Sequence, residues 1–205
     1  MKSSAFLVFA NDVDPAQRQA YEHWHGGHHV PQRFTVPGIL RATRYQAVGG
    51  GSPDYLTVYD LADIAVLNSP EYRRLAEQPD AVTLAMRPFL RNPVRLACHA
   101  LVGADCPHGG CLVMLRMPDT SVTRAAEWLA AETPATIRFG RTAPDAGGHP
   151  IMGQAATSEE AVALIFADAP DAARATAEVL RDAAQAEPLS APGTGLIYER
   201  IESFP

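Results

Sequence analysis

The stretch GILRATRYQAVGGGSPDYLTVYD, residues 38–60, decides how this chain folds. It reads as a strand over 38–48, a flexible turn at GGGSPD, and a returning strand over 55–60 rich in β-branched and aromatic residues. Upstream, AFLVFA (5–10) is a short continuous apolar run of the kind that makes a buried strand. Between these strands, Asp14-Pro15-Ala16-Gln17 is a helix start, with Asp as N-cap, Pro in the first helical position and Gln reaching back as in a capping box. The helix is expected to run to about His25, where Gly26-Gly27 stops it. Downstream, Ser69-Pro70-Glu71 opens a second helical stretch, interrupted by Pro79 and Pro88, and VRLACHALV (94–102) is a fourth strand. The order is βαββαβ.

The same order recurs after GADCPHGG (103–110), which reads as a linker. Strands are expected at 111–117, 135–142, 161–167 and 195–201. Thr120 caps a helix running to about Glu132. A second helix spans 170–186, with Val179, Leu180 and Ala183 as its core stripe. Two βαββαβ units, 1–102 and 111–205, make an α+β protein of two tandem ferredoxin-like units. Two helices cover one face of each sheet, so the open faces are expected to pack against each other. That arrangement is an intrachain barrel with a pocket between the sheets or at the mouth.

The composition narrows the function. Of 205 residues, 47% are hydrophobic and 20% charged, enough for a real core. The net charge of −6, with Lys2 the sole lysine, argues against nucleic acid as a partner, since tracking phosphates needs a basic stripe. The first apolar run is too short for a signal segment or a membrane span, and no other window approaches the ~18 apolar residues that a span needs. Cys98, Cys106 and Cys111 suit a reducing cytoplasm better than a disulfide framework. The expected partner is a small-molecule ligand, and the chain is expected to be a monomer or homodimer.

Four of the seven histidines fall within HWHGGHHVP, residues 23–31. His25 and His29 have the spacing of one helical face, but two intervening glycines cost about 2 kcal/mol of helix relative to alanine. No Asp, Glu or Cys lies among them, so no metal is expected there. Cys106, His108 and Cys111 are metal-like in type, yet supply three ligands on a loop. Gly49–Gly51 precedes no helix and is no phosphate cradle, and neither a nucleophile elbow nor a Walker lysine is present. A histidine presented beside glycines at a cavity mouth suits general acid or base work near neutral pH. His29 is the leading candidate and His28 the next; the alternative is that His29 caps a helix or bonds across the fold. His23 and His25 are expected at the solvent, and Tyr21 and Trp24 in the core.

Strand alternation puts Arg41, Thr43 and Tyr45 on one face, Tyr55, Thr57 and Tyr59 on one face, and Arg95, Ala97 and His99 on one face. Such polar faces suit either a cavity wall or an inter-sheet hydrogen-bond network.

Trp24, His29, Pro31, Arg33 and Val36-Pro37-Gly38, followed by Arg44-Tyr45, form the pattern W-x4-H-x-P-x-R-x2-V-P-G and R-Y. With LNSPEYRRL (67–75), this resembles the EthD-like branch of the dimeric α+β barrel superfamily over about residues 5–100. The resemblance implies a barrel that hosts small-molecule lyases, isomerases, cyclases and monooxygenases, with haem binders among its relatives. It places His29 at the histidine of the motif. Where relatives often carry Asn-Glu-Glu, this chain has Gly26-Gly27-His28, so an acidic partner for the histidine is missing.

The expectation is a cofactor-independent enzyme acting on a small aromatic or polyketide-like molecule by isomerisation, dehydration, cyclisation or decarboxylation. His29, Arg44 and Tyr45 are the expected catalytic residues. Trp24, His28, Tyr55, Tyr59 and His99 are the expected substrate-binding residues. The alternatives are a non-enzymatic ligand-binding or stress-associated barrel, and a haem protein with His29 or His99 as axial ligand.

Overall fold

The computed structural model describes residues 3–102, 105–118, 134–147, 160–184 and 192–205. The hairpin forms: β2 (Ile39–Ala47) pairs antiparallel with β3 (Tyr55–Leu61). β1 (Ala5–Val13) lies between β3 and β4 (Leu90–Val102), so the order across the first sheet is β4-β1-β3-β2. The second half repeats it. β5 (Cys111–Pro118), β6 (Thr136–Thr142), β7 (Glu160–Ala167) and β8 (Ile197–Phe204) run β8-β5-β7-β6. Two further pairings, β2 with β8 and β4 with β6, join the sheets at both edges into a closed barrel. Closure pairs four edges that would otherwise invite another chain.

The barrel interior is solid. Phe6 and Val8 from β1, Leu56 and Val58 from β3, Leu112 and Met114 from β5, and Leu164 and Phe166 from β7 share one buried cluster. An eight-stranded barrel is just wide enough for its inward side chains to fill it. The pocket expected between the two sheets is therefore taken up by core.

The outward faces carry the helices. α1 (Arg18–Trp24), α2 (Val30–Arg33), α3 (Pro70–Glu77) and α4 (Ala81–Met86) cover the first sheet. Ser69 and Asp80 cap α3 and α4, accepting hydrogen bonds from the Tyr72 and Thr83 backbone N–H groups. α5 (Pro170–Ala184) covers the second sheet with Ala173, Ala177 and Leu180. Val179, expected in that stripe, is exposed, because it falls about 100° round from Leu180. The expected helix over 120–132 lies outside the described residues.

Residues 105–110, read as a linker, turn inward across one barrel end. The His108 ring sits in a buried polar clasp. Its Nδ1 lies 2.7 Å from Thr43 Oγ1 and its Nε2 lies 3.2 Å from Asp60 Oδ1. Asp60 also accepts from Arg41 Nε (2.7 Å) and from Arg138 Nη1 (2.5 Å). The Tyr45 hydroxyl donates to the Gly109 carbonyl, 3.2 Å away. Arg41, Thr43 and Tyr45 thus bond to Asp60 and to residues 106–109, and Asp60 carries the network to Arg138 of the second sheet. Cys106 joins the barrel core while Cys111 joins the outer cluster, so the metal-like residues of this loop do not converge.

Candidate functional site

The helical layer departs from expectation at Gly26-Gly27. The helix does not stop. α1 passes into a π-helical turn, His25–His29, and continues as α2. The reason for Gly26 is close approach. A Cβ there would lie 2.5 Å from Arg44 Nη1 and 2.6 Å from Glu202 Oε2. Arg44, 4% exposed, donates to Glu22 (2.6 Å) and to Glu202 (2.8 Å), tying the first helix to the last strand. The missing side chain lets the helix backbone rest on this ion group. π-turns inside α-helices recur at functional sites because they re-aim the side chains they carry.

Here the turn stacks its imidazoles. Tyr21 and His25 stack with ring centroids 5.1 Å apart, and His25 and His29 with centroids 5.3 Å apart. Trp24 packs on the His29 ring at 4.6 Å. His25, expected at the solvent, is 2% exposed, and neither of its ring nitrogens has a hydrogen-bond partner among the described residues. Burial, followed by the charges of Arg44 and Arg33, pushes its pKa well below the usual imidazole value, so it stays neutral. His23 is exposed, as expected.

Beyond His29 lies a narrow cavity between the helices and the outer face of the first sheet. Alternation aims Leu7 and Phe9 of β1 and Tyr59 of β3 outward into it, opposite the barrel-filling residues. Trp24, Ile39, Tyr72 and Leu90 add apolar walls. The polar lining is Thr83, His29, Arg33, Arg87 and Arg95, with no carboxylate among them. Arg33 Nη2 lies 3.4 Å from His29 Nε2, and its guanidinium rests over the Tyr72 ring at 5.8 Å. Arg87 donates to the Ala76 carbonyl and Arg95 to that of Gly147. Burial lowers the pKa of Arg87, and the neighbouring Arg33 charge lowers it further. The cavity volume is about 50 Å³. A cavity of about 150 Å³ takes benzene, so this one admits a carboxylate-sized group unaided, and a ring only if the half-buried Phe9 side chain swings aside.

Of the expected site residues, Trp24, His29 and Tyr59 line this cavity. The others lie elsewhere. Tyr45 points into the barrel core, on the opposite face of the sheet, since β2 side chains alternate. Arg44 faces outward, but its charge is committed to Glu22 and Glu202. His28 pairs with Asp80 at 2.6 Å, near the surface. Tyr55 packs with Tyr21, Trp24 and Met86. His99 is exposed on β4. The expected catalytic trio is therefore not one site. Sequence reasoning assigned no role to Arg33, Arg87, Arg95 or Tyr72. Arg33 stood in the quoted motif four residues after His29, and Arg95 stood on a strand face; Arg87 gave no signal.

No family model and no curated protein sequence matches the chain. Solved structures do. An anthrone oxidase-like protein superposes with a TM-score of 0.62 at 11% identity, covering 100% of this chain and 93% of that one. A protein provisionally assigned as a chlorite dismutase gives 0.60 at 15% identity, covering 97% and 94%. A haem-binding protein of Thermus thermophilus gives 0.57 at 10% identity, covering 98% and 92%. The fold is the dimeric α+β barrel. In this dimeric α+β barrel both halves come from one chain. No helix among the described residues is long and apolar enough to cross a membrane. Haem does not fit the His29 cavity. Drug-sized ligands already need about 300 Å³ or more, and the Arg33 guanidinium lies 3.4 Å from the imidazole Nε2.

Proposed function

We propose that this barrel is a small-molecule enzyme in which His29 moves a proton at the end of the cationic, apolar-walled cavity between helix and sheet. The observation that carries this is the seat of His29. The π-turn and Trp24 fix its ring, which lines the cavity with Nε2 3.4 Å from Arg33 Nη2. An imidazole takes a proton from carbon only if the resulting oxyanion is stabilised, and a guanidinium beside it does that. Reactions needing only these parts are isomerisation, dehydration, cyclisation and decarboxylation of enolisable compounds. The reading needs no cofactor, and it drops Arg44 and Tyr45 from the chemistry.

One observation favours a second reading, a non-enzymatic ligand-binding barrel. Arg33 already donates toward Nε2, so His29 could serve only to orient that guanidinium. Deuterium exchange separates the two. Small keto acids and aryl ketones are incubated with the protein in D2O, and loss of the α-proton signal is followed by NMR. The enzyme reading expects exchange above buffer that falls at least ~100-fold in His29→Ala. Binding without exchange, or a variant within threefold of wild type, supports the binding barrel.

A further inference from the structure

We infer that the cavity is a carboxylate site: Arg33, Arg87 and Arg95 clamp the carboxylate of a small organic acid whose apolar part lies against Trp24, Tyr59 and Tyr72. This deepens the reading above and rests on the same cavity, but not on any proton transfer. Among the described residues the cavity gathers three guanidinium groups and no carboxylate, in a chain whose net charge is −6. Elsewhere among the described residues, the buried Arg44 pairs with Glu22 and Glu202, the buried Arg138 with Asp60, and the mostly buried Arg116 with Glu160. The cavity arginines are the exception. Arg33 Nη1, Arg87 Nε, and Arg95 Nε and Nη2 are buried without a hydrogen-bond partner among the described residues. Leaving several charged donors unsatisfied in one apolar pocket is costly, and proteins rarely do it without a ligand in view.

The donor type and the space select the anion. Guanidinium forks match the planar, two-oxygen edge of a carboxylate. A volume of about 50 Å³ takes that group directly. Leu7, Phe9, Ile39 and Leu90, with the rings of Trp24, Tyr59 and Tyr72, make the rest of the wall mostly apolar and leave Thr83 and His29 as its other polar groups, which favours a largely apolar body over a sugar or a nucleotide.

The test uses the full chain and paired probes, benzoate with benzamide and phenylacetate with phenylacetamide, titrated by calorimetry and by tryptophan fluorescence. The inference expects each acid to bind about 10-fold or more tightly than its amide. Arg87→Gln and Arg95→Gln should each erase most of that preference while circular dichroism stays native. Acid and amide binding alike, or neither binding, overturns it. Equally tight binding of inorganic phosphate also overturns it, as a site for anions in general. His29→Ala keeps the acid preference if the inference holds, so failure of the proton-transfer reading leaves this result standing, and the reverse.

Discussion

Replacing Asp60 by Asn tests the account of the barrel interior most directly. Asp60 is 3% exposed and faces Arg138, which is 0% exposed, from the other half of the chain. Oδ1 accepts from Arg138 Nη1 at 2.5 Å and from His108 Nε2 at 3.2 Å, and Oδ2 accepts from Arg41 Nε at 2.7 Å. Asparagine keeps the shape but removes the charge and puts an N–H2 where one of these donors points. Arg138 then stays buried without the Asp60 charge, and breaking a buried pair in this way costs about 3–5 kcal/mol. At about 2–4 °C per kcal/mol for a chain of this size, Tm should fall by roughly 6–20 °C. The assay is thermal and urea unfolding at pH 7, with m unchanged so that the shift reads as stability. Arg138→Met tests the other arm. Combined with Asp60→Leu it should recover much of the loss, because an apolar pair replaces the ionic one. Burial alone would raise the Asp60 carboxyl; the His108 hydrogen bond and the Arg138 charge outweigh it and hold the group far below the usual range. Its contribution is therefore fully present above the unfolded carboxylate pKa of about 3.9 and is lost as pH falls below that. A loss below about 1 kcal/mol in Asp60→Asn, typical of exposed pairs, would refute the buried clasp.

Three further outcomes follow from the same geometry. His25 is held neutral by burial and by the Arg44 and Arg33 charges, so the unfolded chain binds the extra proton below about pH 6.5; stability should fall as pH drops below that, and His25→Phe should flatten the slope in urea titrations at each pH. The adjacent glycines should respond with opposite signs: Gly27→Ala, with nothing within 4 Å of its Cβ, gains about 1 kcal/mol of helix propensity, whereas Gly26→Ala, whose Cβ would meet Arg44 and Glu202, loses about 1–3 kcal/mol by chemical denaturation. Leu164→Ala, wholly inside the barrel, should cost about 2–5 kcal/mol, while the same change at exposed Leu84 should stay within about 0.5 kcal/mol.

Much of the architecture was legible in the chain. Alternating apolar strands, Asp and Ser caps, and prolines at first helical positions specify βαββαβ units locally, because each signal acts over a few residues. The strand faces could be read too: Arg41, Thr43 and Tyr45 do share one side of β2. Which side was not legible, because period-2 alternation sorts residues into two sets without saying which set meets the core.

The site was less legible. Gly26-Gly27 carries the local signature of a helix stop, yet the helix runs on through a π-turn, with Gly26 set close against the Arg44–Glu202 pair. His25 reads as surface until the π-turn rotates it inward. Arg33, Arg87 and Arg95 stand 54 and 8 positions apart in the chain, and only the docking of α2 and the segment after α4 on the outer face of β1 and β4 brings their charges to one cavity. Sequence determined the units, since secondary structure answers to neighbours along the chain; tertiary structure decided the pocket, since charge and burial answer to neighbours in space.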